Sequence, residues 1–180
     1  ADGRDLLAEA RKRGYDVVGN AEEMHESKSD RIIGLFAESS NPSLADMTAK
    51  AIAVLSRNPH GFFLMIEHSW PDKGGHGNNR DQVVKGVLEL DAALRKALDF
   101  AESDDQTLIV VTADHETGGL AVQNPDDKNP FFKPQWTGGG HTGNMVALYA
   151  FGPGSERFSG THDNTDIPRI FAEFWDAKLN

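Results

Sequence analysis

Residues 108–119 read Leu-Ile-Val-Val-Thr-Ala-Asp-His-Glu-Thr-Gly-Gly, and this stretch decides how the rest of the chain is interpreted. Its first four residues are apolar without alternation, which is typical of a strand that is covered on both faces. A carboxylate and an imidazole, Asp114 and His115, follow almost at once, and both are common ligands of Zn²⁺. The stretch therefore indicates a metal site at a strand end, although two residues that only cap a turn explain it equally well.

Two other segments carry the same kinds of side chain. Glu67 directly follows the apolar residues 62–66, and Asp72 and His76 stand four apart with two glycines between them. The glycines should let the backbone fold tightly and bring both side chains to one point. His141 lies in a third, glycine-rich segment. Each segment alone could be an incidental polar loop, but three of them at strand ends of one sheet predict a site for two or three metal ions.

Helices and strands alternate along the chain, which predicts an α/β fold with a largely parallel central sheet and helices on both faces. We expect one domain over residues 1–180. Ligands of such sheets bind beyond the carboxyl ends of the strands, where Glu67, Asp114 and His115 lie. Strands are predicted at 16–18, 32–36, 62–66, 108–111 and 145–151, helices at 5–13, 43–57, 80–102 and from 165, and loops at 24–30 and 124–137.

The composition limits the kinds of binding site that the chain can contain. The chain is acidic, with a formal net charge of -10, and no cluster of lysine and arginine stands out, which argues against a nucleic-acid-binding surface. It contains no cysteine, so only histidine and carboxylate side chains are available to hold a metal. No apolar run is long enough to span a bilayer, so no membrane segment is expected. No signal peptide is visible, although a trimmed chain would have lost one.

Taken together, the three segments resemble the C-terminal part of bacterial alkaline phosphatases. That family shows Glu-Gly-x-x-Ile-Asp-x-x-x-His after a strand, then a long helix, then Thr-Ala-Asp-His after a second strand, and later a Gly-His-Thr-Gly motif. The corresponding segments here are residues 67–76, 112–115 and 140–143. Residues 58–65 and 149–153 are similar too, so the resemblance covers nearly the whole chain in order.

The resemblance implies a phosphomonoester hydrolase with two Zn²⁺ ions and one Mg²⁺. Asp72, His76 and His141 would hold the first zinc, and three protein ligands with one open position are what a catalytic zinc requires. Two zinc ions about 3.5–4 Å apart can stabilise both the attacking and the leaving oxygen of an in-line displacement. The other implied roles are Asp114 and His115 at the second zinc, Glu67 at the magnesium, and Lys73 near the substrate phosphate.

Lys73 and His141 are the residues that the resemblance places in catalysis. Lys73 would act on the phosphate through a water molecule, and its alternative role is that of a solvated surface lysine. His68 is a departure, because the family usually has a glycine there. We expect the His68 ring to point outward.

The nucleophilic serine of the family is not recognisable in this chain. In the family, an N-terminal half carries that serine, a phosphate-binding arginine and the remaining ligands of the second zinc and the magnesium, and none of those motifs occurs here. The resemblance implies that the serine is first phosphorylated and then freed by hydrolysis. It therefore implies that the missing half is a required partner, that the chain alone is inactive, and that the enzyme is a periplasmic or secreted homodimer.

Two alternatives remain open. A phosphodiesterase or sulfatase on the same scaffold would differ in the nucleophile and the arginine, which this chain does not show. A non-catalytic metal-binding fragment would bind one zinc tightly and hydrolyse nothing.

Overall fold

A computed structural model describes residues 3–37, 40–123 and 133–178. The chain groups into two compact units, which are described separately below. No helix in the described ranges is both long and apolar enough to cross a membrane.

The first unit consists of residues 1–68 and 88–97. Its elements are α1 (Leu6–Lys12), β1 (Asp16–Val18), α2 (Ala21–Glu26), β2 (Ile32–Gly34) and α3 (Leu44–Leu55). Asp5 begins α1 and Ser43 begins α3, because each side chain accepts a hydrogen bond from a backbone amide of the first turn. These two helices and both strands are confirmed close to their predicted bounds. The buried apolar residues of this unit are Val18, Met24, Ile52 and Ala93.

The loop predicted at residues 24–30 is wrong for residues 24–26, which belong to the short helix α2, and is confirmed for residues 27–30, which form neither helix nor strand. The Asn20 side chain accepts a hydrogen bond from the Glu23 amide, and the Glu23 carboxylate accepts one from the Gly19 amide at 2.7 Å. The first bond satisfies an amide that the first turn of a helix leaves unpaired, and the second fixes the residue that precedes the cap. Met24 anchors the helix in the core with 3% of its surface exposed.

Residues 62–66 are not a strand of any ladder in the described part of the chain. Burial alternates along the segment, so it is not covered on both faces. Phe63 and Met65 are 57% and 79% exposed, whereas residues 62, 64 and 66 are half-buried. The apolar run therefore has one open face.

The second unit consists of residues 69–87 and 98–180. Its elements are α4 (Trp70–His76), β3 (Ile109–Val111), β4 (Glu116–Thr117), β5 (Ala121–Gln123), β6 (Lys133–Gln135), β7 (His141–Thr142), β8 (Tyr149–Phe151), a 3-10 helix (Ser155–Phe158) and α6 (Asp166–Phe174), and α5 (Arg80–Asp104) contributes residues to both units. Its core contains Ala101, Phe158, Ile170 and Ala172.

The strands form pairs rather than one sheet in the described residues. β1 and β2 pair in parallel, whereas β3 with β8, β4 with β7 and β5 with β6 are antiparallel. The predicted strands at 108–111 and 145–151 are confirmed as β3 and β8, with Ile109 opposite Phe151. Each strand pairs with only one neighbour, so the largely parallel sheet does not appear in this part of the protein.

The predicted loop at residues 124–137 is partly replaced by β6. Ala121 of β5 lies opposite Gln135 of β6. Pro134 is tolerated in this strand because a two-stranded pair leaves an outer edge on which no amide is needed. Residues 124–132 of the predicted loop lie outside the described residues.

The helix predicted at residues 80–102 is confirmed as α5, but its apolar side chains are only partly buried. Val84, Val87 and Leu88 are 40%, 50% and 63% exposed. The helix packs through small residues instead, since a Cβ on Gly86 would lie 2.7 Å from Cδ of Pro71. The other buried positions of α5 are Ala93 and Ala101.

Helix α6 begins at Asp166, next to the predicted start at Thr165. Ile170 on its apolar face is buried. Phe174 and Trp175 at its end are 44% and 53% exposed, so this face is covered only over its first part.

Candidate metal centre

Asp72 and His76 lie on one face of α4. The sequence predicts a tight glycine loop between them, but residues 70–76 form a helix, in which positions four apart are neighbours. Pro71 occupies the first turn, where backbone amides have no partner within the helix, so its missing amide proton costs no hydrogen bond. As a result, Asp72 Oδ1 lies 3.4 Å from His76 Nε2.

The two glycines of α4 serve close packing. A Cβ on Gly75 would lie 2.8 Å from the carbonyl oxygen of Thr117, and one on Gly74 would lie 2.7 Å from the backbone nitrogen of Val83. The absence of side chains therefore lets α4 lie directly against β4 and the start of α5.

The pairing of β4 with β7 brings His141 to the same place. The register sets His141 opposite Thr117, the residue that α4 contacts. His141 Nε2 lies 3.5 Å from Asp72 Oδ1 and 3.1 Å from His76 Nε2. Three donor atoms from two distant segments thus converge on one point.

These three atoms have the spacing of ligands around one zinc ion. Bonds of about 2.0–2.2 Å in a tetrahedron put neighbouring donors about 3.3–3.6 Å apart, and the observed separations are 3.1, 3.4 and 3.5 Å. His76 keeps the lone pair of Nε2, because its Nδ1 donates to the Gly139 carbonyl at 2.6 Å. The His76 and His141 side chains are 43% and 51% exposed, so the cluster is open to solvent.

His115 and Thr117 extend the cluster. The Thr117 hydroxyl donates its proton to Asp72 Oδ1 at 2.7 Å and therefore accepts from His115 Nδ1 at 3.2 Å. The lone pair of His115 is therefore on Nε2, where it is available to a metal ion. This atom lies 3.3 Å from Asp114 Oδ2, a spacing that also suits two ligands of one zinc. The His115 ring stacks on His141 with centroids 3.5 Å apart. Ligand atoms of Asp72, His115 and His141 all lie within 4.8 Å of one another.

The surroundings keep the Asp72 carboxyl ionised. The hydrogen bond from Thr117 lowers its pKa below the ordinary value, and nearby imidazoles, that of His76 first, act in the same direction. This interaction stabilises the fold fully above the ordinary aspartate pKa, and the stabilisation is lost as the pH falls through the lower pKa of the folded state. An ionised carboxylate is also the form that binds a metal.

Replacing Thr117 with valine is expected to weaken zinc binding by about 10–100-fold, the usual effect of losing a group that orients a ligand. Valine keeps the shape of threonine but cannot donate to Asp72, so the pKa of Asp72 should rise. Competition with a chelator measures the zinc affinity, and carboxyl ¹³C NMR of the metal-free chain follows the Asp72 titration. Thr117→Ser retains the hydroxyl and should bind zinc normally. Equal affinities of the valine variant and the wild type would show that the hydroxyl has no such role.

Lys73 and Glu67, the other two predicted site residues, are both exposed. The Lys73 ammonium lies 5.6 Å from the centre of the Trp70 ring. Such an exposed cation–π contact is worth only about 0.5–1 kcal/mol, so it does not prevent the lysine from turning to an anionic ligand. Glu67 belongs to the first unit, whereas the donor cluster belongs to the second.

The ring of His68 points inward, and the prediction that it points outward is wrong. Its Nε2 donates to Glu89 Oε2 at 2.9 Å, and only 11% of its side chain is exposed. A buried polar ring requires such a partner, because burial without a hydrogen bond is costly. Through this hydrogen bond, His68 attaches the backbone next to Glu67 to α5.

Sequence reasoning missed Thr117 and Gly139, which orient the donors. Thr117 could have been found, because residues two apart on a strand share a face and His115 precedes it by two. No local signal marks the Gly139 carbonyl as the acceptor for His76. Its role depends on contact between segments 63 residues apart.

Comparisons with known proteins agree on one family. The sequence model of the family described as alkaline phosphatase matches residues 1–135. The chain is 29% identical to alkaline phosphatase 3 of Bacillus subtilis (strain 168), over 98% of this chain and 56% of that protein. It is 38% identical to the repressible alkaline phosphatase of Saccharomyces cerevisiae, over 67% of this chain and 26% of that protein. The chain thus spans about half the length of the bacterial relative and less of the yeast one.

Solved structures agree with the sequence comparison. The alkaline phosphatase from the Antarctic bacterium TAB5 superimposes with a TM-score of 0.85 at 29% identity, over 99% of this chain and 57% of that one. A variant of the TAB5 enzyme has Mg bound in its M3 site. The Thermus thermophilus alkaline phosphatase, 20% identical with a TM-score of 0.85 over 99% of this chain and 60% of that one, shares the α/β fold. Because the family model matches more than half of the sequence, the chain belongs to the alkaline phosphatase family.

Proposed function

We propose that this chain supplies the metal-binding part of an alkaline phosphatase, an enzyme that hydrolyses phosphate monoesters. The observation that carries the proposal is the convergence of Asp72, His76 and His141, whose donor atoms lie 3.1–3.5 Å apart. Three protein ligands beside an open side are the arrangement of a catalytic zinc site. Membership of the family supplies the reaction class.

The proposed cofactors are two Zn²⁺ ions and one Mg²⁺. Imidazole and carboxylate donors suit Zn²⁺, and a carboxylate oxygen suits Mg²⁺. When bound, these ions would neutralise charge on the phosphoryl oxygens of the substrate. The proposed ligands are Asp72, His76 and His141 for the first zinc, Asp114 and His115 for the second, and Glu67 for the magnesium.

The residues of this chain orient and bind rather than attack. The Thr117 hydroxyl is hydrogen-bonded to Asp72 and His115, and the Gly139 carbonyl accepts a hydrogen bond from His76. These three side chains are therefore oriented before a metal ion binds. We assign Lys73 to the substrate phosphate, which its positive charge would orient through a water molecule.

The nucleophilic serine belongs, in this proposal, to an N-terminal half of the same enzyme. That half would complete the second zinc and magnesium sites and would add the strands that make a largely parallel sheet with helices on both faces. Residues 1–180 would then be the C-terminal part of one catalytic domain. The phosphoryl group would pass to the serine and then to water. We place the enzyme in the periplasm or outside the cell, as a homodimer without a nucleic-acid-binding surface.

The test compares the 180-residue chain with the complete enzyme, both supplied with Zn²⁺ and Mg²⁺. The complete enzyme is expected to release phosphate from an aryl phosphate monoester, and the chain alone is expected to bind zinc without turnover. Faster hydrolysis of a diester or a sulfate ester would replace the proposal with the corresponding alternative. Zinc binding without hydrolysis in both preparations would indicate a non-catalytic fragment, and turnover by the chain alone would overturn the role given to the missing half.

A further inference from the structure

Glu116 carries a half-buried carboxylate that the roles above leave unused. It accepts hydrogen bonds from the backbone amides of Gly119 and Leu120, each at 3.1 Å, and from the Thr142 hydroxyl. The Thr142 bond is the largest reason why the pKa of Glu116 lies below its ordinary value. Three neutral donors thus converge on one ionised side chain.

The contacts of Glu116 lead to His141. Thr142 follows His141 directly, and its backbone pairs with Glu116 in the β4–β7 ladder. The Gly118 amide donates to the Gly140 carbonyl at 2.8 Å on the other side of His141. The Glu116 carboxylate therefore ties together the turn after β4 and the strand that carries His141.

The sequence around His141 explains why such a tie is needed. Glycines occupy residues 138, 139, 140 and 143, and glycine leaves the backbone more freedom than any other residue. The β4–β7 ladder is only two residues long, and half of the His141 side chain is exposed. The His141 ring also stacks on His115, but the backbone on both sides of it is rich in glycine, so a contact that fixes this backbone should help to orient the imidazole.

We propose that Glu116 is a positioning residue for His141 and acts through the hydroxyl of Thr142. This inference rests on the proposed function, because it takes His141 as a ligand of the first zinc. Glu116 itself touches neither substrate nor metal. Its effect should appear as the affinity and geometry of the ion that His141 binds.

The experiment uses the 180-residue chain with Co²⁺ as the probe, because cobalt accepts the same donors as zinc and its visible absorption reports ligand number and geometry. Glu116→Gln keeps the size but loses the charge and one acceptor, and Thr142→Val removes the hydroxyl. Each is expected to weaken Co²⁺ binding by about 10–100-fold and to change the visible spectrum. The double variant should bind no more weakly than the weaker single variant, since both break one contact.

Two controls separate positioning from general stability. Thr142→Ser keeps the hydroxyl and should match the wild type in affinity and spectrum. Glu102→Gln removes an exposed carboxylate on α5 and should also change neither. Thermal unfolding of each metal-free variant measures any purely structural effect.

The outcomes distinguish the inference from the function on which it rests. A wild-type chain that binds no Co²⁺ would overturn the proposed first zinc site and the inference with it. Tight wild-type binding that neither Glu116→Gln nor Thr142→Val alters would overturn the inference alone, even if both variants unfold at a lower temperature. Binding by Thr142→Ser as weak as that of Thr142→Val would also overturn it.

Discussion

Replacing His76 with alanine is expected to abolish turnover of the complete enzyme and to remove the first zinc. His76 supplies one of the three converging donor atoms, and its loss leaves two of the three, on Asp72 and His141, 3.5 Å apart. A residue that merely orients a ligand is worth about 10–100-fold in metal affinity, so loss of the ligand itself should have a larger effect. Zinc content after dialysis and phosphate release from an aryl phosphate measure the two results.

His60→Ala is the matched control for that substitution. His60 is an exposed residue in a turn of the first unit, where its backbone amide donates to the Asn58 side chain. The control should keep its zinc and its turnover. If the His76→Ala enzyme kept the same zinc content as this control, His76 would not be a zinc ligand.

Replacing Gly75 with alanine is expected to destabilise the protein by about 1–3 kcal/mol, the usual effect of overpacking. The new Cβ would lie 2.8 Å from the Thr117 carbonyl oxygen and 2.9 Å from its Cβ. Because Thr117 holds Asp72 and lies opposite His141, the displaced strand should also weaken zinc binding. Thermal unfolding of the metal-free chain should shift down by about 2–12 °C.

Gly77→Ala provides the comparison for Gly75, because it follows the same helix and has room for a side chain. Its Cβ would meet only the Lys73 carbonyl oxygen at 3.5 Å and other atoms at 3.8 Å, which are ordinary contacts, and its φ is -85°. The Gly77 variant should unfold and bind zinc like the wild type. If Gly75→Ala behaved in the same way, close packing of α4 on β4 would not explain the glycine pair.

Helices were predictable where apolar spacing and a capping side chain coincide. Ser43 before α3 and Asp5 before α1 are such cases, and both side chains cap their helices. Helix α2 was not predicted, because only Met24 among its six residues is buried. The cap at Asn20 is therefore not followed by a periodic pattern of apolar residues. A short helix with one buried residue leaves little trace in the sequence.

Strands were predictable as apolar segments but not as members of a particular sheet. The apolar character of residues 62–66 shows that burial is favourable, but it does not specify which strand the segment would pair with. β3 and β8 are in the predicted places, but their antiparallel pairing depends on contact between residues 42 apart at Ile109 and Phe151. Neither segment encodes that choice locally.

The sequence by itself determined the donor atoms of this protein, because the types of side chain and their order are properties of the chain. It contains no cysteine, so the ligands of any metal ion must come from histidine and carboxylates. Only the tertiary structure decided which of them meet and how each is oriented. His76 and His141 are 65 residues apart, and Asp72 and Thr117 are 45 apart. Their convergence comes from the packing of Gly75 against β4 and from the β4–β7 register, which depend on contacts between distant segments and so cannot be read from any one of them.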